Sequence, residues 1–176
     1  MMTPVTRYPW QLRVLHWLIA LLILGMIGFG WYLSEMDYEN PMLPMLRQWH
    51  RTVGLCLFPL GLLNLWAYTV LPRPPFPATM PARQQLLARL VHSVLLYVVI
   101  AIPVAGYFMS GDKLVIVGDI TVPAWVVFPK AVRSALFEVH ETLAWTTLVL
   151  ALLHAAAAIK HHVVDKDDTL KKMKPF

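Results

Sequence analysis

The chain has 176 residues, 58% hydrophobic and only 14% charged, with a formal net charge of +5 and a mean hydropathy of +0.58. Soluble domains are about a quarter charged, so this composition excludes a water-surrounded globule and requires lipid around much of the surface. The positive charge is no nucleic-acid footprint, because the basic residues gather in particular loops beside apolar runs, where they report topology.

A short polar lead carries Arg7, and Arg13 stands at the edge of the first apolar run. That run is full length and lacks a small-x-small cleavage site, so it reads as a membrane span and not as a removable signal. It covers 12–33 and places His16 in its first turns. Residues 34–48 hold Glu35, Asp37 and Glu39 against Arg47, and Pro41 and Pro44 argue against a continuous helix there. The second span covers 49–70, opens with His50, contains the single Cys56 and is bent by Pro59. A lone cysteine offers neither a disulfide nor a thiolate metal site.

The connector that follows, Leu71 to Arg83, is proline-rich and basic, hence extended and stiff. The third span covers 90–109, with His92 near its start and Pro103 inside it. Residues 110–136 form the longest loop, whose V-I-V and W-V-V-F pieces are too short to cross a bilayer. The fourth span covers 138–160 and contains His140 and His154; a basic and acidic tail follows. The expectation is all-α: an integral membrane four-helix bundle forming one domain over residues 1–176.

Orientation follows from lysine and arginine near the span ends. Arg7 and Arg13, then Arg73, Arg83 and Arg89, then Lys160, Lys166, Lys171, Lys172 and Lys174 lie on one side. Arg47, Arg51, Lys113, Lys130 and Arg133 lie on the other. The two-to-one bias puts both termini in the cytoplasm.

His140 and His154 are fourteen residues apart on one helix. They are therefore separated by about 21 Å along the axis but only about 40° around it. With the termini inside, His50 meets the depth of His140 near the outer face, and His16 meets His154 near the inner face. Ionisable residues inside a membrane are costly and usually functional. Zinc would want four ligands at one depth, whereas two imidazoles per level suit the axial positions of a haem iron. Each of the four has a small residue four positions on, namely Ala20, Gly54, Ala144 and Ala158, which leaves room beside the ligand. The alternative is four histidines that hydrogen-bond helix to helix. Gly25 and Gly28 offer further places for close helix or porphyrin approach. Arg51 and Arg47 beside His50 could pair with haem propionates or snorkel to lipid headgroups. Trp10, Trp17, Trp31 and Trp49 read as interfacial anchors.

His16-Trp17 at the head of the first span, H-E-T-L-A from His140, and His154-Ala-Ala-Ala-Ala-x-x-His161-His162 followed by D-K-D-D-T-L resemble the bacterial cytochrome b561 family. The resemblance implies a four-helix protein of the bacterial inner membrane with two haems b. Their axial ligands would be His16 with His154 in the inner haem and His50 with His140 in the outer. It also implies a quinone site at His161, which composition alone would read as a solvated basic helix end. His92 lies near the same inner level, as an interfacial histidine or a neighbour of haem or quinone.

The implied activity is an oxidoreductase that passes electrons from the periplasmic side to membrane quinone, ubiquinone being the expected acceptor and superoxide the expected donor. The alternative is a cytochrome b electron-carrier subunit that joins a periplasmic protein redox partner to the quinone pool. A haem-free helical scaffold is a third reading. Lys113, Lys130, Arg47, Arg51 and Arg133 could steer an anion, and Glu35, Asp37 and Glu39 on the same side oppose them.

Overall fold

A computed structural model describes residues 6–175; the first five residues of the polar lead and the last residue lie outside it. Four helices are long and apolar enough to cross a membrane: α1 Trp10–Ser34, α2 Leu43–Val70, α3 Ala82–Phe108 and α4 Lys130–Val163. Consecutive helices pack side by side, and α1 meets α4 more sparsely. The chain is therefore an up-and-down bundle and a multi-pass membrane protein.

The helices overrun the expected spans, and the reason is physical. Polarity marks where the bilayer ends, whereas caps and prolines mark where a helix ends. Pro44 does not prevent a helix before residue 49: it occupies the first turn of α2, where its missing N–H would have no partner anyway. α3 and α4 start directly after Pro81 and Pro129, so each has a polar entry ahead of its apolar stretch. The expected loop 110–136 is correspondingly shorter. It contains an antiparallel hairpin of β1 Lys113–Val115 and β2 Thr121–Pro123. Pro59 and Pro103 lie inside helices that continue through them, which neighbouring helices make tolerable in a membrane.

The packed core is small: Ile23, Leu57, Val98 and Ile102 form its buried centre, with Leu143 of α4 against it. Lipid is as apolar as leucine, so close packing and polar contacts, not hydrophobicity, draw such helices together. Gly61 illustrates this. A methyl group there would meet Ile100 and Val99 of α3 at 3.0 and 3.1 Å, so α2 and α3 approach closely at that level.

Helix α4 buries Thr147 alone among its 34 residues. Thr147 lies seven residues from both His140 and His154, and a further seven leads to His161. Seven residues is close to two turns, so these four side chains form one stripe facing the other helices. The Thr147 hydroxyl donates back to Leu143 O at 2.7 Å, which satisfies it without a partner helix.

The end that holds both termini, here the terminal face, is tied together by the tail. A short helix, α5 Thr169–Lys172, folds the chain back across the bundle. Arg13 donates to Lys174 O at 2.8 Å and the Trp17 indole to Met173 O at 2.9 Å. Lys172 reaches Pro75 O of the proline connector at 2.7 Å. Trp17 therefore serves the tail as well as standing at a span edge. At the opposite, far face the hairpin is pinned by Thr52 Oγ1 accepting from Val117 N at 3.0 Å and by Gln48 donating to Asp119 at 3.0 Å.

Candidate functional site

Histidines meet at both ends of the bundle. Near the far face His50 of α2 and His140 of α4 have ring centres 6.3 Å apart, and near the terminal face His16 of α1 and His154 of α4 are 6.1 Å apart. Two imidazoles on opposite sides of one metal need about 2.0 Å from metal to nitrogen and about 1.1 Å from nitrogen to ring centre. That places trans ring centres about 6.2 Å apart. Both pairs match this spacing. His92 of α3 also reaches His154, but at 5.1 Å the rings are too close for a trans arrangement. His92 is therefore a neighbour of the terminal pair, and His16 is the ring that lies at the trans spacing from His154.

The far pair is held by backbone features that sequence reading missed. His140 Nδ1 lies 2.9 Å from Ile102 O. A carbonyl only accepts, so Nδ1 carries the proton and Nε2 keeps its lone pair for a metal. Gly106 makes this possible: a methyl group there would stand 3.2 Å from both Nδ1 and Cε1 of His140. Gly30 does the same for His50, whose Cε1 would lie 3.2 Å from such a methyl. Gly25 and Gly28 have no protein atom within 4 Å on their side-chain side, so neither brings another helix close. Both glycines are exposed.

A cavity of about 650 Å³ opens around the far pair. Protein interiors rarely leave such space, and the volume is in the range of cofactor and ligand sites, about 300–1,000 Å³. Gly54 and Ala144, two of the small residues four positions beyond a histidine, line it. So do Arg47, Arg51, Lys130 and Arg133, with Glu141 as the one carboxylate. Glu35, Asp37, Glu39 and Lys113 are not among its walls, so the fold resolves the mixed charge of this side in favour of the basic group. The buried Nδ1 of His50 has no hydrogen-bond partner among the described residues. Opposed imidazoles, close-approach glycines and an apolar cavity with a basic rim suit an axially ligated planar macrocycle with acidic side groups.

At the terminal face His161 and His162 part company. His161 is turned under the bundle with its side chain 14% exposed, and its Nδ1 lies 2.7 Å from Asp167 Oδ2. His162 is exposed. Neither Asp165 nor Asp167 stands out in the sequence, where both read as part of a solvated charge run.

A membrane bundle with opposed histidines at two depths is the architecture of a b-type membrane cytochrome. The sequence model of the prokaryotic cytochrome b561 family matches residues 7–176, and the chain belongs to that family. Cytochrome b561 homolog 2 of Escherichia coli (strain K12) is 33% identical over 172 residues, covering 95% of this chain and 90% of that protein. A protein of Yersinia pestis named "Probable superoxide oxidase CybB" is 28% identical over 173 residues, covering 92% of each. Membership carries two consequences: the protein works in membrane electron transfer, and the family implies a b-type haem.

Proposed function

We propose that the protein holds two haems b, one between His16 and His154 and one between His50 and His140, and connects a one-electron donor at the far face to ubiquinone at the terminal face near His161. The observation that carries this reading is the spacing of the two pairs, 6.1 and 6.3 Å, at opposite ends of one membrane-length helix. With both axial positions filled by imidazole, a haem supplies reversible one-electron chemistry and leaves no iron position open to oxygen.

The protein's own residues supply position and charge. Ile102 O fixes the tautomer of His140. Arg51 pairs with a propionate of the outer haem, and Arg47, Lys130 and Arg133 make the far cavity attractive to an anion. The name of the Yersinia relative supports superoxide as the donor, since superoxide is a small anion that gives up one electron and leaves as oxygen. His161, about 10 Å beyond His154 along α4, meets a quinone headgroup while the quinone tail stays in lipid. The lysine and arginine bias supports a terminal face in the cytoplasm and a far face outside the bacterial inner membrane.

A second reading makes the far face a dock for a protein donor. It is favoured by Trp125, Val126 and Val127 beyond the hairpin, where Trp125 is 85% exposed, since exposed aromatic residues commonly anchor interfaces. The test is to count haem per polypeptide in the purified protein and then supply superoxide and quinone with no other protein. Two low-spin, acid-extractable haems and quinol formation are expected. One haem per chain overturns the pairing, and two haems without quinol formation favour the protein donor.

A further inference from the structure

Among the described residues only Asp165 and Asp167 place a carboxylate within ion-pairing distance of His161. The contacts are 3.1 Å from Asp165 and 2.7 Å from Asp167, both to Nδ1. The two carboxylates have different surroundings. Asp165 is already engaged by Lys160, whose ammonium lies 2.8 and 2.7 Å from its two oxygens. Asp167 receives the Thr169 amide on Oδ1 at 2.8 Å and turns Oδ2 to the imidazole, with its side chain only 15% exposed. Asp167 is therefore the dedicated counter-charge.

The other charges at this end are directed elsewhere. Asp168 pairs with Lys171 at 2.9 Å. Lys172 reaches Pro75 O, and Arg13 of α1 binds the carbonyls of Lys174 and Pro175. Lys166 is exposed at the turn. On the bundle side, the titratable groups toward His161 are His154, one stripe position up α4, and His92 of α3 against it.

The backbone is shaped to make this contact. Lys166 has φ of 53°, a left-handed conformation that side-chain-bearing residues seldom adopt. The bend lets Asp165 N bond Lys160 O and Asp167 N bond His161 O, so both carboxylates fold back onto the helix end. Burial works against the Asp167 carboxylate, but hydrogen bonds from Thr169 and His161 outweigh it and hold the group below its ordinary range. An ionised carboxylate can only accept. Nδ1 of His161 therefore carries the hydrogen, and Nε2 is the nitrogen that binds a proton only when the ring is charged.

We infer that His161 Nε2 is the proton donor to bound quinone and that Asp167 is its positioning residue, fixing the tautomer and balancing the imidazolium charge. The inference rests on the quinone reading above. Converting quinone to quinol takes two electrons, delivered by two turnovers of a one-electron donor such as superoxide, and two protons. In the His161 step the Nε2–H bond breaks and an O–H bond forms on a quinone carbonyl oxygen. The nitrogen keeps the electron pair, and a neutral ring remains with its Nδ1–H on Asp167. Water at the membrane surface returns the proton to Nε2 and supplies the second one.

The test uses the haem-loaded protein with Asp167→Asn, Asp167→Glu and His161→Ala, and His162→Ala as a control. Nitrogen NMR of histidine-labelled protein reads the tautomer, and quinone reduction driven from the far side is followed alongside the haem spectra. Wild type and Asp167→Glu should show the Nδ1–H tautomer, and Asp167→Asn should lose it. In Asp167→Asn the imidazole is no longer held with Nε2 as its second proton site, so quinone reduction should slow about tenfold while the haem spectra stay unchanged. Should Asp167→Asn fail to fold, Asp167→Ser also removes the carboxylate and keeps an oxygen that can accept the Thr169 amide. It should lose the tautomer and slow reduction in the same way. An unchanged tautomer and an unchanged rate in these variants, alongside slow reduction in His161→Ala, overturn the inference and leave the quinone site standing. A wild-type rate in His161→Ala instead removes the quinone site itself.

Discussion

At position 106 a methyl group would sit 3.2 Å from two atoms of the His140 ring, a separation at which something must give. Gly106→Ala should therefore move the imidazole off Ile102 O while leaving the bundle folded, because the strain falls on one side chain. Losing that partner makes Nε2 a poorer electron donor to a metal. Supporting hydrogen bonds of this kind are typically worth about 10- to 100-fold in affinity. We expect the haem proposed at the far pair to be retained about tenfold less firmly and to titrate at a higher potential, as read by spectroelectrochemistry. Gly28→Ala, with open space on its side-chain side, should behave as wild type. Direct removal gives a coarser version of the same experiment: His140→Ala should lose the far haem and keep the other, and His154→Ala the converse. Equal loss of both haems in each variant would mean that the two levels assemble as one unit.

The four helices were legible in the sequence because lipid makes every ionisable residue in an apolar run conspicuous, and their ends were not. Composition changes at the bilayer surface, but α2 begins at Leu43, six residues before the expected start, since proline in a first turn costs a helix nothing. The pairing of the four histidines by depth could be read for the same reason. Their supports could not, because Ile102 O, Gly30 and Gly106 matter through which backbone atoms come close across helices. The place of Asp167 was hidden too, because the bend that turns it under α4 depends on a lysine at φ 53°, which residue type does not advertise. That bend makes the tail sensitive to acid. The Asp167 carboxyl is held below its ordinary range in the folded chain, so its contribution to docking is complete above the unfolded value of about 3.9 and is lost as pH falls below it. Amide exchange across 165–175 should therefore accelerate in acid before the transmembrane helices respond. Asp167→Asn should show the faster exchange already at neutral pH.

At the scale of the whole molecule, charge is sorted by the fold in a way that linear order conceals. The far side carries both signs, yet Arg47, Arg51, Lys130 and Arg133 face the cavity while Glu141 is its one acidic wall. Four cations against one anion around a low-dielectric cleft focus a field that draws anions in and leaves neutral molecules unaffected. The Debye length falls from about 30 Å at 0.01 M salt to about 8 Å at 0.15 M, so such steering should be strong in dilute buffer and weak near physiological ionic strength. If superoxide is the donor, its rate of reducing the protein should fall severalfold across that range, and the logarithm of the rate should decline steadily with ionic strength. Reduction by an uncharged one-electron donor should stay nearly level, which separates steering from any general effect of salt on the bundle. Lys130→Gln lies at the rim of the cavity, away from the paired histidines, and should lower the dilute-buffer rate and flatten the slope while leaving the haem spectrum intact. A superoxide rate that ignores salt in both proteins would mean that the basic lining serves the haem propionates alone. The donor would then have to be sought among proteins that dock on the exposed loop around Trp125.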